Sequence, residues 1–277
     1  CVGNLTAGGS GKSPVVAALR EKLSRDDLRV ATLSRGYGGS NKGPHQVDPE
    51  TDIATDVGDE PLMLAQTGEA WIGVDRVETA RLMAASGVDL IIMDDGHQNP
   101  SLHKDLSLVV VDATAGFGNG YVIPKGPLRE TVAAGLSRAD AIIVMGDGRP
   151  PDAIAQAPVP TLSAHVAPTG TPPSGPVVAF AGIGRPQKFF DTLSAHKVEM
   201  IDAVPFPDHH VFTKADLAYL HDLAKSRSAR LITTEKDYIR LPEADRATIM
   251  SFPVSAVFED TALLDTVLAP IIEKLRK

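Results

Sequence analysis

The sequence predicts an α/β protein with a mostly parallel sheet core, followed by a second, smaller α/β block. Three observations carry that expectation. Short apolar runs alternate with amphipathic helical patterns, as a parallel sheet with crossover helices requires. A glycine-rich turn near the start opens directly into a helical pattern, and a proline-rich stretch past the midpoint interrupts the alternation before it resumes.

In chain order, strands are expected at 29–33, 71–74, 90–93, 106–111 and 141–145, and helices at 14–23, 61–66 and 76–85, with Asp59 as N-cap of the second helix. Eight of the 21 prolines then fall in 150–176, among small polar residues. That texture reads as a boundary or connecting arm, with no core strand in it. The expected division is a core at 1–150, an arm at 151–176 and a smaller domain at 177–277. The second block shows an apolar run at 177–180, helices at 187–193 and 214–225, and strands at 231–232 and 254–258.

Composition narrows the class. The chain has 277 residues, 43% hydrophobic and 22% charged, enough for two packed domains. Its one cysteine, Cys1, excludes an internal disulfide framework, and no Cys and His cluster has structural zinc spacing. A net charge of −8 without a basic run excludes a nucleic-acid partner, so any anionic ligand must be met by local cations. Only Cys1 and Val2 precede Gly3 where a strand should feed the glycine-rich turn, so the sequence is expected to begin inside that strand. Nothing after Cys1 reaches the length of a membrane span.

The turn is Gly8-Gly9-Ser10-Gly11-Lys12-Ser13, followed by Val15, Val16, Leu19 and Leu23 on one helix face. Glycines let backbone N–H groups curl around phosphates, a lysine reaches the β and γ oxygens, and the Ser13 hydroxyl suits Mg²⁺; this is a nucleoside triphosphate grip at a helix N-terminus. The usual first glycine of the pattern is replaced by Thr6. Leu90-Ile91-Ile92-Met93-Asp94-Asp95 reads as a buried strand delivering two carboxylates to its C-terminal edge, where Mg²⁺ is held and where Lys12 and Ser13 converge. The alternative is a solvated turn before Gly96.

Other clusters are ambiguous by themselves. Gly58-Asp59-Glu60-Pro61 puts two acids in a first helical turn, which capping alone would explain. Phe206-Pro207-Asp208-His209-His210 places two histidines after a turn, commonly a solvated pair. The segment 112–120, with three glycines, reads as a mobile loop, and after it Lys125 and Arg129 face either an anion or surface salt bridges.

The ordered series of motifs closely resembles the tetraacyldisaccharide 4'-kinases of lipid A biosynthesis, over essentially the whole chain. It comprises 3–14 with the glycine-rich turn, Leu33-Ser34-Arg35-Gly36-Tyr37-Gly38-Gly39, the Gly58 to Pro61 tetrapeptide, Asp94-Asp95-Gly96-His97-Gln98, Pro127-Leu128-Arg129-Glu130, the Phe206 to His210 pentapeptide and Thr233-Thr234-Glu235-Lys236-Asp237.

The resemblance implies a P-loop kinase core and a smaller α/β domain joined by a two-stranded linker. It implies transfer of the γ-phosphoryl group of ATP, with Mg²⁺, to the 4'-hydroxyl of an acylated glucosamine disaccharide 1-phosphate at the cytoplasmic face of the bacterial inner membrane. Peripheral membrane contact would come partly through a hydrophobic segment ahead of the loop, and the acyl chains call for hydrophobic docking. The loop residues Thr6, Gly8, Gly9, Ser10, Gly11, Lys12 and Ser13 would bind nucleotide, with Ser13, Asp94, Asp95 and Glu60 at the metal. Asp59 would be the base, assisted by His209 with His210 as the alternative, and Lys12 and Arg129 would stabilise phosphate. Asn4, Arg35, Tyr37, Arg76, Gln98 and Glu130 match motif positions near nucleotide or substrate.

Asp59 and His209 flank the proline-rich stretch, so closure of two domains is expected to bring them together. Two other readings use the same loop: a soluble P-loop metabolite kinase or ligase, and a nucleotide-switch binding protein. Neither explains the later motif series.

Overall fold

A strand covered by helices on both faces has no polar side, which is why the apolar runs of this sequence become the sheet. The computed structural model describes residues 1–24, 28–148 and 150–276. The first part of the chain forms β1 (Val2–Gly3), α1 (Lys12–Ser24), β2 (Val30–Ser34), β3 (His45–Gln46), α2 (Ala54–Val57), α3 (Asp59–Ala65) and β4 (Ala70–Ile72). There follow α4 (Arg76–Ala85), β5 (Leu90–Met93), β6 (Leu108–Asp112), α5 (Val132–Leu136), β7 (Ala141–Met145), α6 (Asp152–Ala155) and β8 (Thr161–Pro168). Next come β9 (Val177–Ala181), α7 (Pro186–Ala195), β10 (Met200–Pro205), α8 (Lys214–Ser226) and β11 (Arg230–Thr234). The chain closes with α9 (Glu235–Tyr238), α10 (Glu243–Arg246), β12 (Ile249–Phe252), β13 (Val254–Phe258) and α11 (Thr261–Leu275).

The strands order as β3-β4-β2-β5 and β1-β6-β7-β8-β13, and a parallel bridge from Val2 to Asp94 joins the two sheets side by side. Pairing is parallel except for β3 on β4 and β13 on β8. The adjacency of β1 and β5 sets the loop leaving β1 next to Asp94 and Asp95, at the carboxyl edge where open α/β sheets bind ligands. Val15, Val16 and Leu19 of α1 share one buried core with Ile72, Ile143 and Leu162.

A separate sheet, β10-β9-β11-β12, is wholly parallel. Phe189, Phe190 and Leu193 of α7 cover one face, and Leu217, Leu220 and Ala224 of α8 cover the other. Thr213 and Asp216 close a reciprocal capping box at the start of α8.

Three expectations change. The proline-rich arm carries a real sheet strand, β8, whose Leu162 and Ala164 are buried and whose last residue is Pro168. The run at 254–258 leaves the second block: β13 pairs with β8, and α11 buries Leu264, Val267 and Leu268 in the first core with Phe258. Packing therefore joins the chain after Val254 to the first unit, where β13 lies antiparallel to β8. Lastly, Asp59 is the first residue of α3, not its cap; Gly58 is the cap at φ 93°, where an added Cβ would lie 2.6 Å from the Tyr37 carbonyl. That frees the Asp59 carboxylate for other partners.

Candidate active site

The phosphate loop is built from below. Gly3 lets β1 pass so close to His97 that an added Cβ would lie 2.5 Å from the His97 Cβ, and His97 is fixed in turn by Ser107 and the Gly135 carbonyl. Gly8 and Gly11 take positive φ, as the curl requires. Lys12 begins α1 and donates from Nζ to Asn4 Oδ1 at 3.1 Å, while Asn4 Nδ2 donates to the Thr6 carbonyl at 2.8 Å. Asn4 is thus a buried brace for the loop. The 127–130 segment runs alongside: Ala7 N donates to Pro127 O, and Arg129 N to Leu5 O, both at 2.8 Å. No sequence periodicity announces that pairing.

The two acids that follow β5 differ. Asp95 takes φ 53° and meets Arg129 Nη1 at 2.7 Å and Lys12 Nζ at 3.5 Å. Burial works against its charge, but these two cations outweigh it and hold its pKa below the ordinary carboxylate value. Asp94 is buried, its Oδ1 has no hydrogen-bond partner among the described residues, and burial pushes its pKa up to about 7 despite Lys12, with Asp95 and Glu60 adding to the rise. A buried carboxylate oxygen without a partner beside Lys12 and Ser13 suits a divalent cation.

The other wall comes from the second unit. His209, also in a left-handed turn at φ 56°, brings Nδ1 to 2.9 Å from Asp59 Oδ2. His210 points elsewhere, bonding Asp216 at 3.0 Å and stacking on Phe206. Asp59 is nearly buried behind His209, which lines the cleft. Glu60, expected at the metal, instead meets Lys236 Nζ at 2.6 Å; burial opposes its charge, but Lys236 outweighs that and keeps its pKa low. Lys236 and Arg240 lie on or just beyond α9, and Arg240 Nε stands 3.5 Å from the same Asp59 oxygen as His209. Sequence reasoning missed both, although the motif containing Lys236 was visible.

The remaining candidates divide. Arg35, Tyr37, Arg76, Gln98 and Arg129 line the cleft. Glu130 is taken up by Gln98 Nε2 at 2.9 Å and Arg138 at 2.6 Å, so it acts from behind. The buried side-chain atoms without a partner among the described residues are Ser10 Oγ, Ser34 Oγ, Arg76 Nε and Asp94 Oδ1, and all four residues line this cleft. Buried polar groups are normally satisfied, so their gathering in one cavity marks a site that a polar ligand completes. The 112–120 loop forms turns, with Asp112 Oδ1 accepting from Thr114 N and Ala115 N. Asp112 also pairs with Arg185, at 3.1 Å, and Lys188 of the second unit, and the backbone at Gly184 comes close to Gly9. The two units are therefore in contact on both sides of the cleft.

Comparison with known proteins agrees with this geometry. The family model described as "LpxK: Tetraacyldisaccharide-1-P 4'-kinase" matches residues 1–273. The tetraacyldisaccharide 4'-kinase of Hyphomonas neptunium is 58% identical over 277 residues, covering 100% of this chain and 83% of the relative. That of Maricaulis maris is 50% identical over 280 residues, covering 99% and 82%. A crystal structure of LpxK from Aquifex aeolicus in complex with ATP superimposes with a TM-score of 0.72 at 25% identity, covering 98% of this chain and 87% of that one. A shared fold alone would leave the chemistry open, but a family match along nearly all of the chain does not: this chain belongs to the tetraacyldisaccharide-1-P 4'-kinase family.

Proposed function

We propose that this chain transfers the γ-phosphoryl group of ATP to the 4'-hydroxyl of a tetraacyldisaccharide 1-phosphate in lipid A biosynthesis. The observation that carries the reading is the 2.9 Å contact between Asp59 and His209 across a cleft that also holds Lys12 and the phosphate loop. The ATP in the Aquifex aeolicus structure supports the nucleotide. The cleft encloses about 2080 Å³, well above the roughly 300–1,000 Å³ of an ordinary small-molecule pocket, which suits two large ligands at once.

Phosphoryl transfer asks for positioning and charge neutralisation. Lys12, held by Asn4, turns its ammonium to the phosphates, and Arg129, held by Asp95, offers its guanidinium plane. Ser13 and Asp94 would hold Mg²⁺, which supplies charge neutralisation when bound; Glu60 is committed to Lys236 and Asp95 to its two cations. The Asp59 and His209 pair accepts the proton of the sugar hydroxyl, with Asp59 fixing the imidazole. Arg35, Tyr37, Arg76 and Gln98 face the ligands from the cleft wall.

For the units, we propose that the segment from 169 to 253 moves on the β8 and β13 pair, so that the cleft opens for ligand exchange. No helix among the described residues is long and apolar enough to cross a membrane. Contact with the cytoplasmic face of the inner membrane, and docking of the acyl chains on exposed apolar residues such as Tyr121, Val122 and Ile123, belong to the same proposal.

The test is transfer of labelled γ-phosphate from Mg-ATP to the acylated disaccharide 1-phosphate in detergent. Labelled 4'-phosphorylated lipid is expected, with loss of about 100-fold or more in Asp59→Ala and His209→Ala. Folded, ATP-binding protein that makes no lipid product sinks the acceptor; normal turnover in both variants sinks the base.

A further inference from the structure

Arg240 is bonded to four partners of its own unit and stands beside a carboxylate of the other. Its side chain is only 7% exposed. Nη2 donates to Asp237 Oδ1 at 2.6 Å and to the Gly182 carbonyl at 3.0 Å, Nη1 donates to the His210 carbonyl at 3.2 Å, and Nε donates to the Lys236 carbonyl at 3.1 Å. The same Nε stands 3.5 Å from Asp59 Oδ2 of the first unit.

Two of these partners define where His209 sits. Gly182 O also accepts from His209 N at 3.0 Å, and His210 O belongs to the next residue. His209 holds a left-handed backbone that a residue with a Cβ seldom adopts without support. Asp237 completes the bracket: its Oδ2 accepts from Gly182 N at 3.0 Å and from Thr234 Oγ1 at 2.7 Å. One planar guanidinium thus ties the histidine's turn to the strand end at Gly182 and reaches the carboxylate that the histidine must meet. A lysine has neither the fork nor the plane to do both.

We propose that Arg240 is a positioning residue for the base: it sets the backbone of the His209 turn and the Asp59 carboxylate in one frame, so that Nδ1 and Oδ2 meet. It is not among the residues that line the cleft. The proposal rests on the reading of Asp59 and His209 as the base.

Arg240→Ala would strip the buried Asp237 of its cation and endanger folding, so the variant to make is Arg240→Lys, with a thermal melt as control. Expected are a fall in kcat of about 10- to 100-fold, an ATP Kd within about twofold of wild type, and loss of the downfield His209 Nδ1 proton in NMR of histidine-labelled protein. The double variant Arg240→Lys with His209→Ala should turn over no more slowly than His209→Ala alone, because an effect exerted through His209 disappears with it. Unchanged kcat in Arg240→Lys, or the same loss repeated on top of His209→Ala, overturns the proposal. Should Arg240→Lys not fold, Arg240→Gln is subjected to the same two comparisons. Wild-type turnover in His209→Ala overturns the underlying base assignment instead, and is read from that single variant.

Discussion

Asp112→Asn removes one charge at the boundary between the units and keeps nearly the same shape. The amide oxygen can still accept from Thr114 N and Ala115 N, so the turn after β6 should survive. What goes is the anion that pairs with Arg185 and Lys188 of the second unit. The Asp112 side chain is 3% exposed, whereas Arg185 and Lys188 are 35% and 46% exposed, so the cluster is neither a surface pair nor a sealed one. Exposed pairs contribute about 0.2–1 kcal/mol and stripping a buried one costs about 3–5 kcal/mol; an intermediate of about 1–2 kcal/mol shifts the ratio of docked to undocked units by about 5- to 30-fold. Small-angle X-ray scattering of nucleotide-free protein reads this directly, as a larger radius of gyration in the variant. Wild type should approach the same value at about 1 M salt, where the screening length falls to about 3 Å. Identical scattering and identical salt response in the two proteins would refute the argument that these ions hold the units together.

Two further outcomes are expected. Asp94→Asn should lower kcat by about 100-fold and abolish the response to added Mg²⁺, as chelation does for wild type; a normal Mg²⁺ titration of phosphoryl transfer removes Asp94 from the metal. Asp216, held down to about 2 from 3.8 by the Thr213 hydroxyl and N–H and by His210, is a depressed carboxylate. Its contribution is present above about pH 4 and is lost as pH falls towards 2, so Asp216→Ala should flatten that part of the acid unfolding curve, and an unchanged curve denies the capping box its role.

What the sequence made legible follows from where the information is local. β5 and β7 occupy the residues expected for them, 90–93 and 141–145, and α4 those at 76–85, because each apolar run or periodic pattern ends at an acid, a glycine or a cap. β8 was hidden by the prolines around it: Pro160 precedes the strand and Pro168 is its last residue, opposite Val254, so no proline falls in its interior. β10, at the edge of its sheet, shows alternating partial exposure and lacks the continuous apolar run that marks a central strand. α11 has Pro270 inside it, a helix breaker by local rules, and is held by packing against β13 and α1. The phosphate loop and the Asp94 strand were readable as motifs, but the partners of Glu60 and Asp59 were not. Lys236 and Glu60 are 176 residues apart in the chain and meet only because α3 and α9, helices of different units, lie against each other. The choice between His209 and His210 likewise turned on one left-handed residue, which adjacent histidines in a sequence do not disclose.

The order of strands in the larger sheet has a consequence for how the protein is made. β8 waits for β13 as its antiparallel neighbour, and the entire second sheet lies between them in the chain. A ribosome therefore releases the second unit complete while the first still presents an open strand edge and an apolar face that α11 will cover. Until residues 254–276 emerge, the nascent kinase core is the part most in need of protection from sticking to its neighbours, although it was synthesised first.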